Sequence, residues 1–261
     1  MNGVGHPAGY TEMTFTKIAL TAAALAFGAL PAMAETLKVG STPTGVPFTF
    51  LDVSSGEITG MMVDVVKAIG DKAGFEADVQ STDWVSLLPA LQSGRIDIIS
   101  AAMSITEKRK EVVDFSDPIF PYGEGLVVRA DDDTMYTAGL TETAGKTIGV
   151  QQGTKYLTDL ETLEGIGDIK VYENIADIMK EVELGRIDVG FADQPIMAYQ
   201  IGQGKFPELK MAEGYEQQFV APLGLAIAKE QPELLERINT GLAELKESGE
   251  LDALIAKWNL D

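Results

Sequence analysis

Apolar residues recur along this chain with two periods, and the periods predict its elements. "TLKVGST", Thr36 to Thr42, alternates apolar and polar positions, and "VPFTFLDV", Val46 to Val53, is rich in β-branched and aromatic residues, so both read as strands. In "GMMVDVVKAIGDKAG" the residues Met62, Val65, Val66 and Ile69 fall at the i, i+3, i+4, i+7 spacing of an amphipathic helix, which Gly74 can end. "SLLPALQSG" gives Leu87, Leu88 and Leu91 one helical face with Gly94 as the stop. Proline is tolerated only in the first turn of a helix, so Pro89 places the start near Ser86 and leaves Trp84 on the preceding loop. A strand, "RIDIISAAM", comes next, and then a short helix for which Thr106 is the N-cap.

The word Gly-Arg-Ile-Asp occurs twice, at Gly94–Asp97 and Gly185–Asp188. In the second copy Ile175, Ile178, Met179 and Val182 form the helical stripe, Gly185 stops it, and "RIDVGFAD" is the next strand. Each copy is thus a helix stop joined to a strand start, in two separate α/β units; Asp97 and Asp188 read as strand-entry residues. Strand and helix alternate almost throughout, which predicts mostly parallel sheets with helices on both faces. In such sheets ligands sit beyond the carboxyl ends of the strands, so the informative residues lie just after the two repeated words: Ser100 to Arg109 and Asp193.

Composition narrows the chemistry. The chain has 261 residues, room for one or two domains, with 20 Lys and Arg against 40 Asp and Glu and a net charge of −20. That balance argues against nucleic acid, whose phosphates need clustered cations. There is no cysteine, and the one histidine is His6. The N-terminus reads as an export signal: Lys17, the apolar run Ile18–Leu30, then Ala32 and Ala34 at small-x-small spacing, with cleavage expected after Ala34 and translation expected to start at Met13. The run is too short for a permanent membrane span. Past that cleavage neither His nor Cys remains, so Ser-His-Asp and Cys-His catalysis and His-ligated zinc are excluded. No metal or cofactor is expected, and no phosphate loop of the G-x-x-x-x-G-K-[ST] type is present.

Several ordered motifs carry a family resemblance. "WVSLLPALQSGRIDIISAAMSITEKRKEVVDFSDP" resembles the hallmark stretch of the periplasmic amino-acid-binding proteins of ABC importers, the polar-amino-acid family of solute-binding proteins (family 3). "ITGMMVDVVKAIGDKAG", "IGVQQGT", "GRIDVGFAD" and "LIAKWNL" also fit, and the likeness covers essentially the whole chain after the leader. One departure is Met61 and Met62, where the family has an aromatic and then an acidic residue; it reads as variation at a helix start.

The resemblance implies the α/β two-lobed periplasmic-binding-protein fold of type II, each lobe a mixed sheet flanked by helices. Residues 1–34 would be the signal peptide, 35–124 with 222–261 lobe 1, and 125–221 lobe 2, with hinge crossings near "YGEGLVV" and "FVAPLGLAI". It implies a monomer that takes a free amino acid in the periplasm and delivers it to an inner-membrane permease with its ATPase. Residue chemistry agrees with that ligand. Arg109 is a planar two-pronged donor for an α-carboxylate, and Asp193, the Ser104 hydroxyl and the Ala102 carbonyl suit an α-ammonium. By resemblance, amides near Thr154 and Lys155 complete the carboxylate cage. Trp84, pushed off the helix by Pro89, is a candidate stacking platform as well as a candidate core residue, and Gln151 and Lys155 are candidates to face the ligand side chain or plain exposed polar residues. Relatives that hold cationic amino acids carry an acidic residue near the position of Thr42 and an aromatic near Gly45; neither is present, so a ligand that is not strongly cationic is expected. The competing reading is an exported enzyme resembling cyclohexadienyl dehydratase, in which a cleft carboxylate such as Glu124 would act as general acid.

Overall fold

The computed structural model describes residues 35–260, together with Met1 and Gly9; the expected signal peptide lies outside the described residues. Two five-stranded sheets organise the chain. The first runs in the order Phe75–Ser81, Glu35–Ser41, Ile98–Ile99, Ala226–Ala228, Val113–Phe115, and the second in the order Asp168–Tyr172, Thr147–Gln151, Val189–Asp193, Glu124–Arg129, Leu209–Met211. In each, the first three strands are parallel and the fourth is antiparallel to both of its neighbours. The sheets are therefore mixed, more so than strand–helix alternation alone predicts. The antiparallel strand of the first sheet comes from the C-terminal stretch, and a turn-linked alternation cannot reveal such a distant partner. Val46–Val53 contributes Thr49–Asp52, which belongs to a separate three-stranded antiparallel sheet with Thr44–Gly45 and Glu57–Thr59.

The amphipathic helix forms as predicted, Met61–Ala73, with Met62, Val65, Val66 and Ile69 buried and Gly74 closing it in the left-handed conformation at φ 76°. Met61 and Met62 are both fully buried in the core. The helix carrying Pro89 begins earlier than the proline implies. It spans Trp84–Gln92, so Trp84 is its first residue rather than part of a loop. The bond that proline cannot make is the one to the Val85 carbonyl; Val85 is exposed, and water can take that bond.

The two Gly-Arg-Ile-Asp words do one job twice. Gly94 and Gly185 both turn the chain at positive φ, 68° and 67°. Arg95 N–H then donates to Ala90 O and Arg186 N–H to Glu181 O, both at 2.9 Å. The aspartates clamp the adjacent strand. Asp97 accepts from Lys38 N–H at 2.8 Å while its own N–H donates to Lys38 O, and Asp188 does the same with Thr147 at 2.7 Å. The isoleucines lie over glycines: a Cβ on Gly40 would collide with Ile96 Cδ1, and one on Gly149 would sit 2.5 Å from Ile187 Cδ1. The repeat is thus a device that locks the returning strand, the central one of each five-stranded sheet, onto its parallel neighbour.

The chain crosses between the sheets twice, and the crossings pair with one another as an antiparallel ribbon, Pro121–Tyr122 with Ala221–Pro222. Glu124, at the expected end of lobe 1, is already paired with Asp193 in the second sheet. Because the clamps are exposed, each is worth a modest amount: Asp97→Ala and Asp188→Ala are each expected to lower the unfolding free energy by about 1 kcal/mol, measured by urea denaturation.

Candidate functional site

Four parallel strands, two from each sheet, end at one cavity. Thr42 follows Glu35–Ser41, Ala101 and Ala102 follow Ile98–Ile99, Gln151 closes Thr147–Gln151, and Asp193 closes Val189–Asp193. The cavity, with its open mouth, encloses about 550 Å³ of space between the two sheets' strand ends. All nine residues singled out in the sequence line it: Thr42, Trp84, Ala102, Ser104, Arg109, Gln151, Thr154, Lys155 and Asp193.

Arg109 sits in the short helix Glu107–Lys110, whose N-cap is Thr106; the Thr106 hydroxyl accepts from Arg109 N–H at 3.2 Å. Its guanidinium is buried. Nη1 donates to Ser104 O at 2.8 Å, Nη2 donates across to Gly153 O of the second sheet's side at 3.3 Å, and the charge lies 5.4 Å from the centre of the Trp84 ring. Burial lowers its pKa, and Asp193 partly offsets that effect. Trp84 therefore meets the arginine as well as the cavity, and a Cβ added to Gly153, at φ 72°, would lie 3.5 Å from the indole Nε1.

Asp193 is buried on the opposite wall. Its carboxylate accepts a hydrogen bond from the Tyr122 hydroxyl, which also reaches Ala102 O at 3.2 Å. Burial pushes the Asp193 pKa up to about 6, against the pull of the Tyr122 hydroxyl and the Arg109 charge. Ala102 holds a left-handed backbone at φ 52°, a strained conformation for a residue with a Cβ, costing on the order of 1–3 kcal/mol. Strain of that kind, at a cavity wall, places the carbonyl where the Tyr122 hydroxyl meets it.

Some predicted roles change. The Lys155 ammonium is committed elsewhere: it pairs with Asp159 and donates to Phe219 O at 3.0 Å, so it brings little free charge to the cavity. Gln151 Nε2 donates to Glu173 O at 3.0 Å, and the Thr154 hydroxyl donates to Gln151 O at 2.8 Å while capping the helix Lys155–Leu160. Thr42 and Thr49 share a buried hydroxyl–hydroxyl bond of 2.7 Å.

Glu124 is not among the lining residues; its fully buried carboxylate accepts from the Tyr215 hydroxyl and from Gln218 and Phe219 N–H at 2.6, 2.6 and 2.9 Å. These three bonds occupy three of the carboxylate's roughly four acceptor positions and tie the Tyr215–Phe219 segment to Glu124. Sequence reasoning missed Tyr122, Phe48 and Tyr156, which also line the cavity. Phe48 stacks on Tyr122 with ring centres 5.2 Å apart. Their one signal was position, since Tyr122 opens the crossing segment.

The profile of the bacterial extracellular solute-binding proteins, family 3, matches residues 37–261. The L-cystine-binding protein TcyJ of Escherichia coli (strain K12) is 30% identical over 225 residues, covering 85% of this chain and 82% of that protein. An ancestral arginine-binding protein bound to arginine superposes with a TM-score of 0.79 at 35% identity, over 87% of this chain and 99% of the other. The ancestral amino acid-binding protein AncCDT-1, a precursor of cyclohexadienyl dehydratase, superposes with a TM-score of 0.77 at 32% identity, over 85% and 95%. Two mixed sheets joined by a paired crossing, with buried opposite charges facing one cavity, are the type II binding-protein architecture, and the chain belongs to the bacterial extracellular solute-binding proteins, family 3.

Proposed function

We propose that this protein is the ligand-capturing component of an amino-acid ABC importer, which after export holds a free amino acid in the periplasm between two lobes and presents it to an inner-membrane permease and its ATPase. The lobes are 35–123 with 222–261, and 124–221, since Glu124 pairs in the second sheet, and they turn about the paired crossing. One observation carries the reading: Arg109, from the first sheet's side, and Asp193, from the second's, are buried opposite charges on one cavity. A zwitterion matches them, its carboxylate on the guanidinium and its ammonium on the carboxylate. Ser104, the Ala102 carbonyl and the amides of Thr154 and Lys155 add the remaining partners, and Trp84 packs against the ligand. Only the shut form satisfies both poles, so binding favours closure.

Charge sets the ligand class. Among the lining residues Asp193 is the one acid, and it is used by the ammonium; Lys155 is neutralised by Asp159. A cationic side chain would be enclosed without a counter-charge beside Thr42, Thr44, Gly45 and Thr49, where only hydroxyls and backbone are offered. An uncharged side chain fits. The enzyme reading is disfavoured because its candidate acid, Glu124, already accepts three hydrogen bonds away from the cavity.

These charges lead to three expected outcomes. Arg109→Ala and Asp193→Ala should each weaken amino-acid binding at least about tenfold by calorimetry with the circular-dichroism spectrum retained, since loss of one buried charged partner costs roughly 2–5 kcal/mol. Unchanged affinity in either variant would remove that residue from the site. In a thermal-shift series over the twenty common amino acids, one with an uncharged side chain should stabilise most, while lysine and arginine trail by at least about tenfold in affinity.

The third outcome concerns pH. The folded pKa of Asp193, about 6, lies above its unfolded value of 3.8, so the ligand-free fold holds the proton more tightly. Its stabilising effect is full below about 4 and is lost as pH rises through about 6. Binding an ammonium needs the ionised form, so affinity should be level above pH 7 and fall as pH drops below about 6. Asp193→Asn should raise ligand-free stability at neutral pH by about 1–2 kcal/mol in urea melts while abolishing that pH dependence of binding.

A further inference from the structure

The groups assigned to the zwitterion stand at corresponding places in the two sheets. Ala102, Ser104 and Arg109 follow Ile98–Ile99, third in the strand order of the first sheet, and Asp193 closes Val189–Asp193, third in the order of the second. The second strand of each sheet ends at the same cavity, Glu35–Ser41 with Thr42 after it and Thr147–Gln151 with Gln151 itself. Neighbouring strands lie about 4.8 Å apart, the reach of a short side chain from its α-carbon. An amino acid held by its α-groups at the third strands therefore has Thr42 and Gln151 within reach of its side chain, one from each sheet.

Both residues keep one hydrogen-bonding function unspent. Gln151 Nε2 donates to Glu173 O at 3.0 Å, which fixes the amide, because turning it over would set its own oxygen against that carbonyl. Its Oε1 has no partner among the described residues, and it is not one of the three enclosed unpartnered atoms, Tyr156 Oη, Tyr172 Oη and Gln200 Nε2, so it stays open on the cavity that Gln151 lines. The Thr42 and Thr49 hydroxyls share one bond of 2.7 Å, which uses one of their two protons. With Thr49 as its donor, Thr42 keeps a proton to give into the cavity. Gly45 leaves that hydroxyl uncovered: a Cβ there would sit 3.3 Å from Thr42 Oγ1 and 3.6 Å from Thr49 Oγ1. The backbone at Gly45 is not left-handed, so its conformation does not demand glycine.

We infer that the ligand is a carboxamide amino acid, glutamine or asparagine, whose side-chain N–H donates to Gln151 Oε1 and whose side-chain carbonyl accepts the Thr42 hydroxyl proton. This rests on the amino-acid reading above and deepens it. An acceptor on one wall and a donor on the other are met by a group that carries both functions and no charge. A carboxylate has no proton for Gln151 Oε1, and an ammonium has no lone pair for Thr42. An apolar side chain leaves both protein groups unpaired in an enclosed site, which is the arrangement that discriminates most strongly between ligands of similar shape.

The test measures the affinity of the wild-type protein for the twenty common amino acids by calorimetry and then repeats it on two variants. Glutamine or asparagine should bind tightest, at least about tenfold tighter than its apolar counterpart of similar shape, methionine or leucine, and than its acid, glutamate or aspartate. Gln151→Met keeps the length of the side chain and removes the acceptor; Thr42→Val keeps the shape and removes the donor. Each should lower affinity for the carboxamide about tenfold more than affinity for the apolar counterpart, so the preference collapses. A role in packing alone would weaken both ligands equally. A different amino acid as the tightest binder, or a carboxamide preference that survives in both variants, would overturn the inference. If no amino acid binds the wild-type protein, the amino-acid reading itself fails and takes this one with it; if one binds without that preference, this inference fails alone.

Discussion

A carboxylate that is costly to ionise where it stands governs this molecule. Asp193 ends a strand at the buried wall of the cavity, where desolvation raises its pKa to about 6 despite the Tyr122 hydroxyl and the Arg109 charge. At neutral pH the ligand-free protein therefore carries an ionised group in a place that disfavours it. Arg109 has the mirror problem: it is buried, and its guanidinium makes do with two backbone carbonyls, Ser104 O and Gly153 O, which are not counter-ions. Each charge is under-compensated by the protein, and under the proposed function a dipolar ligand would compensate both, so that stability given up at the site would return as affinity.

The scaffold exists to bring those two groups face to face. Each sheet is built by the same clamp, in which a glycine ends a helix, an isoleucine covers a glycine of the neighbouring parallel strand, and an aspartate bonds to that strand's backbone. The clamp fixes where the returning strand emerges, and the two strands then lead to different groups: a strained turn at Ala102 and then Arg109 in one sheet, Asp193 in the other. The crossing ribbon joins the halves, and Tyr122, which sits in it, bonds to Ala102 O of the first side and Asp193 of the second. A residue of the crossing thus touches a group from each wall.

Much of this was legible in the chain. Helical periodicity at Met62, Val65, Val66 and Ile69, the caps Thr106 and Gly74, and the repeated Gly-Arg-Ile-Asp are local signals, set by neighbours in sequence, and they read correctly. The nine candidate residues fall together because strand ends are where α/β sheets place polar groups, a topological rule rather than a local one. The failures are of two kinds. Trp84 was misplaced because the cost of an interior proline depends on whether the orphaned carbonyl is hydrated, which exposure at Val85 decides. Lys155 looked free because its partners, Asp159 one turn on and the distant Phe219 carbonyl, show only in three dimensions. Tyr122, Phe48 and Tyr156 escaped notice since aromatic residues near strands are ordinarily core, and nothing in sequence separates a ring packed in the core from one that lines a cavity.

The central claim is that a ligand ammonium supplies the compensation Asp193 lacks, and the titration of that one carboxyl group tests it most directly. Carbon-13 NMR of protein labelled at its aspartate carboxyls, with Asp193→Asn identifying the signal, gives its pKa with and without the bound amino acid. The account predicts about 6 in the free protein and a fall of more than about one unit on binding, since an adjacent opposite charge favours the ionised form. A pKa unmoved by saturating ligand, or one that rises, would contradict it.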